Sequence, residues 1–392
     1  MTTTNVKYFH SGMTGAPVLS GQAGKLLDVL DACLVNGFGS GTVDSVVIAG
    51  GIATVTRSGG HPFEVDTIAL IAGATVTGGS INGEKRVLSA AGTTYTFDAT
   101  GIADQTATGT ITHKLASLDW AKPFSGTNLA AYKPNDVAAT GCLLRVDDTG
   151  TNNARVVGYE SMSGDINGGV GPFPTAAQVS GGGYWGKSLT ADAATRAWAL
   201  VGDSRGFFLY VGYNTASGYA ATHGFGDLAP TKPLDPYGCC LTAASGSYTG
   251  STGASLADCA QIDPTNFALC WIARGVSGLG AASQAKRVAQ SFGTNAASQL
   301  SGANSGAPAF PNTANNALYV VPIGLTDGSA GGAVYRGVVP GLMFAPMYIG
   351  SIIAHLSKIG GVTGLTGRKL LALQYPSVGA VAFVDITGPW AR

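Results

Sequence analysis

Val43-Asp44-Ser45-Val46-Val47-Ile48-Ala49-Gly50-Gly51-Ile52-Ala53-Thr54-Val55-Thr56-Arg57 is the stretch that decides the fold class. Two runs rich in Val, Ile and Thr, Val43 to Ile48 and Ile52 to Arg57, flank the pair Gly50-Gly51. β-Branched side chains pack well on a pleated surface, and paired glycines admit the backbone of a tight hairpin. The pattern continues downstream. Val65 to Ile71, Lys85 to Ala90, Thr94 to Asp98 and Gly109 to Leu115 read as further strands, with turns at Gly78-Gly79 and Asn82-Gly83 among those between them. Short strands at this density predict a small closed or half-closed β-barrel over residues 43–115.

Composition extends this reading to the whole chain. The 392 residues include 59 glycines and 17 prolines, spread without a G-X-Y period, which argues against collagen and against long helices. Charged residues make up 11% and hydrophobic residues 45%, the reverse of a disordered composition, so the chain holds enough apolar surface for a core. Lys and Arg number 22 and Asp and Glu number 22, which leaves no net field to draw in a nucleic-acid backbone or an anionic membrane. So few charges predict a surface of Ser, Thr, Gly, Ala and Asn, suited to life in an assembly.

Residues 21–36 carry one amphipathic helix. Leu26, Leu27, Leu30, Cys33 and Leu34 recur at three- and four-residue spacing, Asp28 and Asp31 lie opposite, and Asn36-Gly37 supplies the stop. Its apolar stripe needs cover, expected from the large domain for Leu26 and Leu30, while the arm before it, Thr2 to Pro17, is expected to reach a neighbouring subunit. Beyond Trp120 the strand candidates are Gly141 to Asp147, Arg155 to Glu160, Arg196 to Gly202 and Gly206 to Tyr213. Between 214 and 316 only Phe267 to Ile272 reads as a strand, and the rest predicts surface loops. No secretory signal is read at the start, and the apolar run Gly341 to Leu356, interrupted by Pro346, is expected in the core and not in a membrane. Cys33, Cys142, Cys239, Cys240, Cys259 and Cys270 form no C-x-x-C pair. Reduced thiols are the default, with one bridge open to the Cys239-Cys240 pair and Cys259, placed in a loop-like stretch, if the finished assembly meets an oxidising medium.

The order Gly60-His61-Pro62-Phe63, Ile71-Ala72-Gly73-Ala74, Ile81-Asn82-Gly83, Thr94-Tyr95-Thr96-Phe97-Asp98 and Thr108-Gly109-Thr110 resembles the FCCH-type β-module, named from ubiquitin-activating enzymes and recurring in tail-associated proteins of bacteriophages. The resemblance covers roughly Val43 to Lys114 and implies an accessory structural domain without chemistry. A second resemblance, to phage tail or virion structural proteins, runs through Lys7-Tyr8-Phe9-His10-Ser11-Gly12-Met13, the stretch from Trp120 to Asn128, Leu144 to Asp148, Gly158 to Met162, Gly171 to Pro174, Gly367 to Leu373 and Phe383 to Trp390. It implies a part of a particle.

Two motifs imitate chemistry. Gly181-Gly182-Gly183-Tyr184-Trp185-Gly186-Lys187-Ser188 satisfies the P-loop pattern, but no apolar strand precedes it, no helix follows, and Tyr184 and Trp185 crowd a loop that must close on phosphate. It reads as a glycine-rich surface turn. Gly202-Asp203-Ser204-Arg205-Gly206 satisfies the nucleophile-elbow pattern, yet Phe207-Phe208-Leu209-Tyr210-Val211 after it is a strand where the elbow needs a helix, so it reads as a hairpin turn. Lys187 and Ser204 are both expected on solvated turns. His10, His61, His113, His223 and His355 lack metal-ligand spacing, with His61 read as a strand-edge or turn residue. Asp147-Asp148 and Asp165-Ile166-Asn167-Gly168 read as plain turns, and Trp185, Trp198, Phe207, Phe208 and Tyr210 as core in preference to a sugar platform.

The expectation is therefore a mainly β chain: an N-terminal arm and helix over 1–42, an FCCH-like small β-barrel over 43–115, and a larger β-rich domain, sandwich or barrel-like, over 116–392 with a loop-rich region at about 214–316. The expected function is structural, as a tail-associated component of a bacteriophage virion (baseplate, tail tip or collar), made in the host cytoplasm. Its expected partners are other virion proteins and copies of itself, without nucleic acid, membrane insertion or cofactor, and no residue is assigned to catalysis or metal binding. The alternative is a tail-tip protein that binds a host receptor or glycan. An envelope-degrading enzyme is third.

Overall fold

The computed structural model describes residues 3–214, 218–247, 270–288, 301–303, 306–327 and 334–392, and they are mainly antiparallel β. Of the strand expected at Phe267 to Ile272, Cys270–Ile272 is described, while 267–269 and Cys259 lie outside the described residues.

The expected barrel is a half-barrel, an eight-stranded sheet in the order Phe38–Thr42, Thr112–Leu115, Ile68–Ala72, Gly83–Ala91, Thr94–Asp98, Ile52–Thr56, Ser45–Ala49 and Gln105–Thr106. Alternation sets its inside: Val46, Ile48, Ala53 and Val55 are buried, while Val47 and Ile52 between them face out. Its first strand, Phe38–Thr42, lies upstream of Val43 and carries no apolar alternation, being Phe-Gly-Ser-Gly-Thr.

A 13-stranded sheet forms the body. It runs from Lys7–His10 through Ala197–Asp203, Gly206–Asn214, Tyr219–Asp227, Cys239–Thr242, Cys270–Ile272 and Ser283–Val288 to Val321–Asp327, Val334–Phe344, Ala380–Asp385, Lys369–Tyr375 and Lys358–Gly360, with Ala229–Pro230 paired to Val334–Phe344 off this path. The sheet curls until its two halves face each other: Tyr210 Oη donates to Gln374 O at 2.8 Å, and the Phe208 and Trp390 ring centroids are 5.8 Å apart. The last hairpin is buried on both faces. Leu371, Leu373, Ala382 and Val384 point into the main core, whereas Leu370, Ala372, Val381 and Phe383 point into a second one with Met347, Ile349 and Ile353. The apolar run at 341–356 is thus largely core, although Ile352 faces solvent.

A six-stranded sheet, Trp120–Gly126, Leu129–Pro134, Leu143–Asp147, Asn153–Ser161 and Val170–Phe173 with Gly183–Gly186 paired to Asn153–Ser161, covers the other face of the first half of the body sheet. Aromatic rings fill the seam: Trp120 on Phe207 at 5.5 Å, Phe173 on Phe225 at 6.2 Å and Trp185 on His223 at 5.1 Å. The group Trp185, Trp198, Phe207, Phe208 and Tyr210 is buried, as a core reading requires.

The helix spans Lys25–Leu30 and continues as a π-helical turn over Asp31–Asn36, ending where Gly37 takes φ 70°. A Cβ at Gly37 would meet Leu115 O at 2.1 Å, so only glycine lets the chain turn into the barrel there. Leu26, Leu27, Val29, Leu30, Cys33 and Leu34 are buried in the main core, which supplies the cover the stripe needs.

Two expectations are corrected. The arm, as far as it is described (residues 3–17), does not leave its own subunit: Lys7–His10 pairs antiparallel with Ala197–Asp203, Lys7 opposite Gly202, and Val6, Tyr8, Phe9 and Met13 are buried. Its alternate residues are apolar and aromatic enough to hold an edge strand. Nor is Phe267 to Ile272 the one strand within 214–316, of which 215–217, 248–269, 289–300 and 304–305 lie outside the described residues. Tyr219–Asp227 and Cys239–Thr242 are central strands, every residue from Ala220 to Asp227 is buried, and the small side chains Ala220, Ala221, Gly224 and Gly226 fit a strand covered on both faces.

The barrel docks on the body through acids of its own meeting bases of the body. Lys7 Nζ lies 2.6 Å from Glu84, Lys358 Nζ 3.1 Å from Glu64 and Lys369 Nζ 2.8 Å from Asp66. Arg86, buried, reaches the other way: its guanidinium donates to Thr3 O at 2.7 and 2.9 Å, to Asp66 O at 2.9 Å and to Thr387 O at 3.2 Å.

Candidate functional site

The P-loop-like stretch is a strand end. Tyr184 and Trp185 pair with Arg155 and Ala154, and Gly186 with Asn153. Lys187 is corrected from a solvated turn to a buried position: its Nζ contacts Asp148 Oδ1, with neither side chain exposed, and donates to Gln22 O at 2.6 Å. Ser188 Oγ, also buried, donates to Thr190 O at 2.6 Å. Asp148 is likewise no plain turn residue. Its Oδ2 accepts the Leu26 N–H at 2.8 Å, so the carboxylate ties the first turn of the helix to the strand end at Lys187. Burial pulls the Lys187 ammonium down and pushes the Asp148 carboxyl up, each opposed by the other's charge. The lysine has no free face for phosphate.

The elbow-like stretch is a hairpin turn, Asp203 opposite Gly206, with Asp203 Oδ1 accepting the N–H groups of Arg205 and Gly206 at 2.9 and 3.0 Å. Ser204 Oγ donates to Asp136 Oδ2 at 2.7 Å. That hydrogen bond holds the Asp136 carboxyl below its ordinary range, so the group is a poor proton acceptor at neutral pH. The histidines bond elsewhere: His10 to Glu64, His61 to Ala91 O and Thr94 O, His113 to Tyr95, His223 to Gly186 O and His355 to Gln374 N. No Ser-His pair is assembled among the described residues.

The hairpin does, however, form the floor of a groove. Arg205 Nε and Nη2 donate to Asp227 Oδ2 at 3.0 and 2.9 Å, Thr140 N and Oγ1 bind the same carboxylate at 3.0 and 2.6 Å, and Arg392 forks onto Asp203 at 2.5 and 2.9 Å. Above these pairs opens a cleft of about 670 Å³ between the 137–140 loop and the 228–238 loop. Its walls are Val137, Ala138, Leu228, Pro230, Pro233, Leu234 and Pro236. Val137 is 100% and Leu234 96% exposed, one on each lip. The far wall is fixed from beneath: the buried Arg336 guanidinium donates to Asp235 Oδ2 at 2.7 Å, to Tyr237 O at 3.2 Å and to Asp327 Oδ2 at 2.8 Å.

Charges at the floor are paired within the chain, the walls are aliphatic and prolyl, and among the described residues no aromatic platform lines the cleft. Such a surface suits an uncharged, apolar protein segment better than an ion, a phosphate or a sugar. Sequence reading reached Asp203, Ser204 and the hairpin but missed Thr140, Asp227, Arg336 and Arg392, which are scattered along the chain and meet only in the fold. The run Ala229-Pro230-Thr231-Lys232-Pro233-Leu234-Asp235-Pro236 was the available signal for a stiff wall.

Asp147 and Asp165 accept the N–H groups of Thr149 and Asn167 in local turns at 3.1 and 2.8 Å. Among the described residues no group of three or more His, Cys, Asp or Glu is placed to hold a metal, and no helix is long and apolar enough to cross a membrane. Fold and site thus define a mainly β, multi-sheet protein with an apolar-lipped, charge-compensated groove. No protein-family model matches the chain, and no curated protein matches it.

Proposed function

We propose that this chain is a structural component of a bacteriophage virion, tail-associated as a baseplate, tail-tip or collar protein, which works through contacts with other virion proteins and copies of itself and without catalysis. The observation that carries the reading is the groove: two fully exposed aliphatic lips, Val137 and Leu234, over a floor whose Arg and Asp groups already satisfy one another. A water-exposed pair of this kind is covered cheaply in an assembly, since burying it desolvates no unpaired charge. The resemblance of 43–114 to the FCCH-type module and of both ends and the middle to tail proteins supports the placement. The aliphatic walls favour protein over glycan as the groove's occupant.

The test is incorporation. Purified phage particles should contain the chain, and Val137→Asp with Leu234→Asp should give a folded subunit that enters particles at least tenfold less well. Particles that lack the wild-type chain, or that take up the double variant normally, overturn the proposal.

A further inference from the structure

The chain contains three Asn-Gly pairs, Asn36-Gly37, Asn82-Gly83 and Asn167-Gly168, and the fold treats them differently. Each sets a side-chain amide carbon beside the backbone nitrogen of a residue with no Cβ to shield it. What separates them is whether the two groups are free to meet. Asn36 is the last residue of the π-helical turn. Its carbonyl accepts Lys114 Nζ at 2.6 Å, and the Gly37 N–H donates to Ala32 O at 2.8 Å, so hydrogen bonds hold both sides of that peptide. The Asn82 side chain is clamped on Ala74, Oδ1 accepting its N–H at 2.9 Å and Nδ2 donating to its carbonyl at 2.7 Å, and Gly83 is paired opposite Ile71 in the barrel sheet.

Asn167 has neither restraint. It is exposed in the connection 162–169 between the strands Asn153–Ser161 and Val170–Phe173. Only its N-terminal side is held: Arg145 Nε donates to Ile166 O at 2.7 Å, and Asp165 Oδ1 accepts the Asn167 N–H at 2.8 Å. Among the described residues the Asn167 side-chain amide and the Gly168 N–H have no hydrogen-bond partner. A Cβ at Gly168 would find nothing nearer than Tyr159 Oη at 4.0 Å, so the space around the nitrogen is open.

We propose that Asn167 is a site of spontaneous deamidation in the folded protein, while the fold protects Asn36 and Asn82. The Gly168 nitrogen attacks Asn167 Cγ, the N–Cγ bond forms, the Cγ–Nδ2 bond breaks, and ammonia leaves with the proton that the backbone nitrogen gave up. Water then adds to one of the two carbonyls of the resulting succinimide and opens it to aspartate or to isoaspartate. One water is consumed, one ammonia is released, and nothing is oxidised or reduced. At the other two pairs the same attack requires hydrogen bonds to open first, so only the locally opened fraction reacts. The product puts a second carboxylate into the turn that already holds Asp165 and takes the formal net charge of the chain from zero to one negative. Asn167 is exposed and supports no buried group, so the change leaves the fold intact and accumulates with the age of the protein. The inference is independent of what the groove binds.

The experiment incubates the full-length chain at mildly alkaline pH, once native and once in urea, and maps digested samples by mass spectrometry over time. In the native chain the Asn167 peptide should gain about 1 Da and split into two products, at a rate about tenfold or more above those of the Asn36 and Asn82 peptides. In urea the three rates should converge to within about threefold, because glycine follows each asparagine and no fold restrains any of them. Gly168→Ala should slow the native reaction at Asn167 by about tenfold, since a Cβ now shields the nitrogen, and leave the other two sites and the melting temperature unchanged. Any other ranking in the native chain, an unchanged Asn167 peptide included, overturns the proposal. A ranking that persists in urea overturns protection by the fold, and undiminished reaction in Gly168→Ala overturns the succinimide route.

Discussion

Lys187 and Asp148 meet as a buried ion pair that joins the end of one strand to the first turn of the helix, although each belongs to a stretch that reads as an exposed turn. Removing one partner strands the other charge in a desolvated site. Lys187→Ala should therefore lower stability by about 3–5 kcal/mol, measured by urea denaturation. Lys187→Met with Asp148→Leu should recover most of that loss, since no uncompensated charge remains. A single variant within about 0.5 kcal/mol of wild type would show that water reaches the pair.

The buried histidines set an acid limit. Burial holds His113, His223 and His355 each at about 4 in the fold, against an ordinary value of 6.5. Depressed values mean that the unfolded chain takes up protons first, so stability is full above pH 6.5 and falls as pH drops toward 4. Glu64, lowered to about 2 chiefly by the hydrogen bond from His10, adds a second loss between its ordinary 4.5 and 2. A melting temperature that stays level from pH 6.5 to 4 contradicts the burial argument, and His113→Phe should flatten the first window in part.

Deleting residues 1–13 now has a different expected outcome from the one an extended arm implies. It removes the edge strand Lys7–His10, the Lys7–Glu84 pair and the Thr3 carbonyl held by Arg86. The truncated subunit should be aggregated or molten, shown by lost near-ultraviolet dichroism. A soluble, cooperatively melting truncation would return the arm to an intersubunit role.

Arg86→Ala should loosen the barrel without unfolding it, because the guanidinium serves carbonyls outside the barrel, Thr3 and Thr387, as well as Asp66 within it. Limited proteolysis should then cut near 116–119, and more so in high salt, which screens the Lys358–Glu64 and Lys369–Asp66 pairs. A 38–116 fragment should melt cooperatively by itself. Equal protease resistance of wild type and variant would place the docking energy elsewhere.

How much of this is written in the sequence depends on which faces a strand buries. Barrel strands such as Ser45–Ala49 have one wet face, so their alternation is plain. The strand Tyr219–Asp227 has none and is built mostly of Ala, Gly, Thr and His, a composition shared with loops; only the neighbouring layers make it a strand. The π-helical turn at Asp31–Asn36 follows the same periodicity as the helix before it and leaves no separate mark. Ser204 and Asp203 are correctly read as turn residues, while the burial of Lys187 depends on Asp148 and Gln22, which no local pattern brings near. The groove is of the same kind: Thr140, Asp227 and Arg392 are gathered by topology alone.

The pairing of Lys7 with Gly202 also orders events in time. A ribosome adding about 5–20 residues each second leaves the first strand waiting on the order of ten seconds or more before its partner exists. The carbonyl of Thr387 that Arg86 holds comes later still. During that interval Val6, Tyr8 and Phe9 are an exposed apolar segment with an unpaired backbone, the form most open to capture by another nascent chain. A slow, late-closing fold of this kind makes the subunit dependent on chaperones at high expression, and copies translated close together on one message can exchange first strands before either sheet is complete.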